Sequence, residues 1–186
     1  KLSRTAESPV AGEKEPGIVT HPLLIDTETL QQQLGQSGVV IIDVRGKAAY
    51  EFGGHIPGAV HSTWHEYSDP NAVAKGLLNP DLGQIERILQ RLGINQDSDV
   101  VIYSNPFDNW GDEGRMFWML DYLGHTRLRI LDGGWVKWTA EKRPFEHGSV
   151  SPTRGNFKAQ ARRDLIALKD DDLKGLVRGP HPKTAI

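Results

Sequence analysis

The sequence predicts an α/β fold with a mostly parallel sheet covered by helices on both faces. Two observations carry this expectation. The β-branched runs Val39-Val40-Ile41-Ile42-Asp43-Val44 and Val100-Val101-Ile102-Tyr103-Ser104 are continuous rather than alternating, as in strands buried on both faces of a parallel sheet. Helix-patterned stretches lie between the strand-like runs, and connections of that length make crossover units.

Taken in order, Lys1 to Gly17 is polar and aperiodic, and residues 1–20 read as a leader. From Leu23 the pattern changes. Asp26-Thr27-Glu28-Thr29-Leu30 opens a helix capped by Asp26 or Thr27 and stopped at Gly35. After the first long strand come a helical turn from Lys47 to Phe52, a tight loop from Gly53 to Gly58 and a short strand at Ala59-Val60. Residues 64–79 are irregular, and Asp81 to Leu92 is an amphipathic helix with Leu82, Ile85, Ile88, Leu89 and Leu92 on one face. The second long strand, a loop from Asn105 to Arg115 and a buried helix from Met116 to Leu123 follow. Arg127 to Leu131 then gives another strand, and Trp135 to Glu141 a short helix stopped by Pro144.

Composition excludes several function classes. With 186 residues, 38% hydrophobic, the chain holds one ordinary domain with tails. A formal net charge of −2 with mixed signs gives no footprint for nucleic acid or a membrane surface, and no apolar run reaches membrane-helix length. Zero cysteines exclude disulfides, thiolate metal sites and cysteine nucleophiles. The chain begins with Lys1 rather than Met, so a leader, tag or larger parent is expected to have been removed. A polar leader tilts the expectation towards export to the periplasm over the cytoplasm.

The loop beyond the second long strand is where an α/β fold mounts its chemistry. It holds Ser104, Asn105, Asp108, Trp110, Asp112, Glu113 and Arg115, with Gly111 and Gly114 to let it bend. Ser104 reads as a strand-end hydroxyl satisfying backbone, the acids as complements to a helix start, and Trp110 as packing rather than a partner anchor. Asp43, Arg45, Glu51 and His55 read as a polar network pinning a loop. His55, His61 and His65 lack zinc-like spacing, so no metal and no cofactor are expected. Trp118 and Tyr122, one helical turn apart, read as core, and Gly133-Gly134 as a tight turn ahead of a helix.

Three stretches together resemble the rhodanese (sulfurtransferase) homology domain. They are Ile42-Asp43-Val44-Arg45 with Tyr50-Glu51, Gly54-His55-Ile56-Pro57-Gly58-Ala59, and Ile130-Leu131-Asp132-Gly133-Gly134-Trp135. The resemblance implies a three-layer fold with a five-stranded sheet, and it puts Ser104 where active members carry a persulfide-forming cysteine. A serine hydroxyl cannot form and break an S–S bond. The chain is therefore expected to be inactive alone, with Ser104, Asn105, Trp110, Gly111, Gly114 and Arg115 as loop residues that would bind an anion if any ligand binds. A small thiol or sulfur oxyanion is the substrate class the family implies.

The tail supplies a further expectation. Leu165 to Leu176, ending in Thr184-Ala185-Ile186, echoes Leu24 to Leu30 running through Val40-Ile41-Ile42. Residues 21–147 then form a noncatalytic rhodanese-like domain, and 148–186 a linker and the start of a truncated second repeat. The expected partner is a C-terminal rhodanese domain of the same parent chain. The competing readings are a standalone regulatory or protein-binding module around Trp110 and an anion-binding domain using the loop acids with Arg115.

Overall fold

The computed structural model describes residues 23–73, 76–107 and 110–162. The leader (1–20), Asp108 and the tail echo from Leu165 onward lie outside the described residues.

Five strands form one sheet: β1 (Leu24–Ile25), β2 (Val39–Asp43), β3 (Val60–His61), β4 (Asp99–Tyr103) and β5 (Leu128–Leu131). Their order is β1-β5-β4-β2-β3, and every pair is parallel. The helices are α1 (Thr27–Gln33), α2 (Lys47–Gly53), α3 (Leu82–Arg91), α4 (Asp112–Tyr122) and α5 (Gly134–Ala140), with a 3-10 turn at Trp64–Tyr67.

Strand periodicity divides the core into two layers. Ile42, Val100, Ile102 and Leu128 pack against Ile85, Ile88 and Leu89 of α3 and Met116, Met119 and Leu120 of α4. Ile41, Val101, Tyr103 and Leu131 point the other way, onto Leu30 of α1 and Trp138 of α5. A one-residue register slip in β2 or β4 would exchange these two layers, so both faces fix the pairing.

The helix starts follow from caps. Asp26 Oδ1 accepts the Thr29 N–H at 2.7 Å, and Asp81 Oδ1 accepts that of Gln84 at 3.0 Å. Because α3 buries a single face against the sheet, loss of its cap should act on helix stability alone. Asp81→Ala is expected to cost about 1 kcal/mol, measured by urea denaturation with an unchanged slope.

Four features differ from the sequence expectation. The edge strand β1 pairs Leu24 with Ile130, but two residues carry no period to announce it. The irregular stretch contains the 3-10 turn, closed by a capping box between Thr63 and Glu66. Helix α4 starts at Asp112 rather than Met116, because its first turn is built from acids and a glycine that the apolar pattern overlooks. Residues 148–162, expected as part of a linker, pack on the domain: Phe157 is fully buried among α3, α4 and β4 residues.

Candidate functional site

The end of β4 delivers Ser104 to the rim of the sheet, where it is 2% exposed. Its hydroxyl donates to the carboxylate of Glu113 in the first turn of α4, rather than to backbone as expected. Its carbonyl accepts the Trp135 N–H of α5 at 2.9 Å. The residue is thus clamped between two helix starts. The turn into α5 needs glycine here: Gly134 has φ +52°, and a Cβ on it would lie 2.3 Å from the Ser104 carbonyl oxygen.

Over this seat lies a cavity of about 150 Å³ lined by Leu24, Ser104, Pro106, Glu113, Ile130, Leu131, Asp132, Gly133 and Gly134. Its charged groups are the Glu113 and Asp132 carboxylates, and Asp132 is held by Lys137 at 2.7 Å. A thiolate or persulfide anion would meet a neighbouring carboxylate at the Ser104 position, the reverse of the electropositive surroundings that activate a cysteine.

The loop beyond Ser104 does not gather its residues into one site. Arg115 turns away: its guanidinium carbon lies 4.4 Å from the Trp64 ring centroid, and Nη2 donates to the Gly76 carbonyl. With Trp64, Tyr67, Gly76, Leu78, Trp118 and Met119 it lines a separate small cleft. Burial raises the pKa of Asp112 above its ordinary 3.8, opposed by a hydrogen bond from the Trp64 side chain and the nearness of His65. Gly111 caps α4 in the left-handed region at φ +83°, Gly114 sits inside the first turn of the helix, and Asn105 Oδ1 accepts the Phe107 N–H at 3.4 Å.

Two aromatic expectations are corrected. Trp110, expected to pack, is fully exposed at φ +50°, and Phe107 beside it is 82% exposed. Trp118, expected in the core, is 41% exposed and stacks on Tyr122 with centroids 5.6 Å apart. Trp118 is displaced because the sheet-facing positions of α4 are already filled by Met116, Met119 and Leu120, whereas Trp110 precedes the helix in the left-handed turn before its Gly111 cap.

The polar network is deeper than the sequence suggested. The Arg45 guanidinium grips both oxygens of fully buried Asp43, at 3.0 Å from Nε and 2.6 Å from Nη2, and Nη2 also donates to the Gly54 carbonyl. The Tyr103 hydroxyl donates to Asp43 at 2.7 Å and accepts the Ile56 N–H at 3.1 Å. Burial and the Asp43 charge push the Tyr103 pKa up, so it remains a donor. Arg45 also lies 4.2 Å over the Trp135 ring.

His55 stacks on Tyr50 at 4.1 Å, and its two ring nitrogens face the Ile56 and Gly148 carbonyls at 3.1 Å each. Gly58 gives its N–H to Glu146 at 2.8 Å. Glu51 is the correction: its side chain pairs with Lys47 on the surface at 3.6 Å. Tyr50, Tyr103, Glu113 and Trp135 were not foreseen as partners. Signals were there to be read: Tyr50 and Trp135 stand in the motif stretches, Glu113 among the loop acids, and Tyr103 is a phenol ending an otherwise aliphatic strand. Among the described residues no cluster of three or more His, Asp or Glu side chains could hold a metal ion. No described helix is long and apolar enough to cross a membrane.

Comparison with known proteins places these features. A family model described as a rhodanese-like domain matches residues 26–141. The sulfur carrier protein TtuD of Thermus thermophilus is 30% identical over 169 residues, covering 89% of this chain and 57% of that protein. Thiosulfate sulfurtransferase of Azotobacter vinelandii is 32% identical over 154 residues, covering 80% and 54%. Among solved structures, the 3-mercaptopyruvate sulfotransferase SseA of Escherichia coli superposes with a TM-score of 0.69 at 26% identity, covering 82% of this chain and 60% of that one. The chain therefore spans little more than half the length of these relatives.

Proposed function

Since this chain belongs to the rhodanese-like domain family, we propose that it is the noncatalytic domain of a tandem sulfurtransferase of the thiosulfate or 3-mercaptopyruvate type. Its work is to support a second, cysteine-bearing rhodanese domain of the same parent. The observation that carries this reading is the Ser104 seat. The family's scaffold delivers this residue to the sheet rim, but the group there is a buried hydroxyl committed to Glu113. Neither the chain nor the seat has a nucleophile for sulfur transfer.

The relatives named above, of which the match covers 54–60%, leave room for a further domain and so support the tandem arrangement. Phe107 and Trp110, exposed in the stretch between Ser104 and α4, supply a contact surface for the catalytic domain. The same exposure favours a second reading, a standalone protein-binding module that uses this loop.

An assay with thiosulfate and cyanide, and with 3-mercaptopyruvate and a thiol acceptor, tests the proposal. This chain alone should give no turnover above buffer. When mixed with a separately expressed cysteine-bearing domain, it should lower that domain's KM for the donor. Turnover by this chain would overturn the proposal, and indifference of the second domain to its presence would favour the standalone module.

A further inference from the structure

His125 follows Gly124 at the end of α4 and is wholly buried. Its Nδ1 accepts the backbone N–H of Arg127 at 3.3 Å, so the proton of the neutral ring belongs on Nε2, which is buried near the Asn95 backbone without a well-aligned hydrogen bond. The ring lies against Phe157, with centroids 5.5 Å apart. Phe157 anchors segment 155–162 across the ends of α3 and α4. Along this segment the N–H of Gly155 goes to Gln90 O at 2.7 Å, Phe157 to Ile94 O at 3.1 Å, Gln160 to Leu123 O at 2.8 Å and Arg162 to Tyr122 O at 2.7 Å. The fit is tight, since a Cβ on Gly155 would fall 2.0 Å from the Ile94 oxygen.

We propose that His125 is a proton-operated catch: a second proton on its ring releases segment 155–162 from the domain. The chemistry follows from the two nitrogens. The second proton must go to Nδ1, which would then present a donor to the Arg127 N–H, another donor. The hydrogen bond is lost, two donors face each other, and a buried cation is left in the core beside an aromatic ring. Moving Phe157 and its segment aside admits water to the ring and relieves both penalties.

The surrounding charges do not neutralise that cation. Burial lowers the His125 pKa below its ordinary 6.5. A hydrogen-bonding interaction with the Asn95 backbone opposes this, the Arg127 charge lowers the value further, and Asp99 and Asp97 raise it by smaller amounts, so burial decides the direction. Asp99 is itself engaged by Arg129 at 2.7 Å and Arg127 at 3.7 Å. Of the charges on the docked segment, Arg154 binds Gln90, Lys158 binds Glu86 and Arg162 binds Asp121. The sign is fixed by the released state, where the ring returns towards its ordinary value. Docking is complete above pH 6.5 and weakens as the pH falls from there through the lowered docked value.

Hydrogen exchange of the Gly155, Phe157, Gln160 and Arg162 amides tests this, at about pH 7.5 and about pH 5.5 and corrected for intrinsic rates. In the native sequence their protection should fall several-fold at the lower pH, with about tenfold as the ceiling for one proton binding at the ordinary value of 6.5, relative to the Val101 and Ile102 amides. In His125→Gln and His125→Phe the ratio should not change with pH, whatever its starting level. Unchanged protection in the native chain, or a loss that persists in both variants, would overturn the proposal. So would an NMR titration in which the His125 ring gains its second proton while the four amides stay protected.

Discussion

Arg45→Met is expected to lower the stability of the domain by about 3–5 kcal/mol, the largest single effect foreseen for any polar residue here. The reason is what it leaves behind. Asp43 is fully buried, and without the guanidinium its carboxylate keeps, among the described residues, the Arg45 backbone N–H at 2.9 Å and the Tyr103 hydroxyl at 2.7 Å. The Gly54 carbonyl loses its donor, and the Trp135 ring loses the cation stacked on it. Urea denaturation should show the midpoint falling with the slope unchanged. The double variant Asp43→Leu with Arg45→Met should recover most of the loss, because no isolated charge then remains in the core. A single variant as stable as the parent would mean that water reaches Asp43 in solution.

Ser104→Cys is expected to fold yet remain without sulfurtransferase activity, although it restores the element that catalysis needs. The new thiol would sit in a buried seat beside the Glu113 carboxylate, and both influences raise a thiol pKa. Starting from a free value near 8.5, that leaves less than about 3% thiolate at neutral pH. Alkylation by iodoacetamide should accordingly be slower than for a free thiol. Adding Glu113→Gln in the same background should speed it by about three- to tenfold. Rapid alkylation of the single variant would show that the loop lowers thiol pKa values and that the acid is incidental.

How much of this was legible in the sequence depends on whether a feature repeats. The β-branched runs of β2 and β4 and the apolar face of α3 extend over several periods, so their type and burial could be read directly. The two-residue β1 could not. The need to pair buried polar groups marked Asp43, Arg45, Glu51 and His55 as a network, but Glu51 turns to Lys47 while Tyr103 and Trp135 join from β4 and α5. No local pattern encodes that meeting. The candidate loop was legible as a place and not as an arrangement. Ser104 and Arg115 are close in sequence, yet the α4 backbone carries Glu113 towards the serine and Arg115 towards Trp64. Phe157, a lone aromatic in a polar stretch, gave no sign that residues beyond 148 complete the core.

The chemistry of the seat is decided most directly by mass spectrometry of the intact protein after incubation with excess thiosulfate or 3-mercaptopyruvate and removal of the donor. A hydroxyl held by Glu113 in a chain without cysteine should leave the mass unchanged with either donor. A stable gain of one sulfur atom, mapped to any residue of this chain, would contradict the account of a domain that supports sulfur transfer without carrying it.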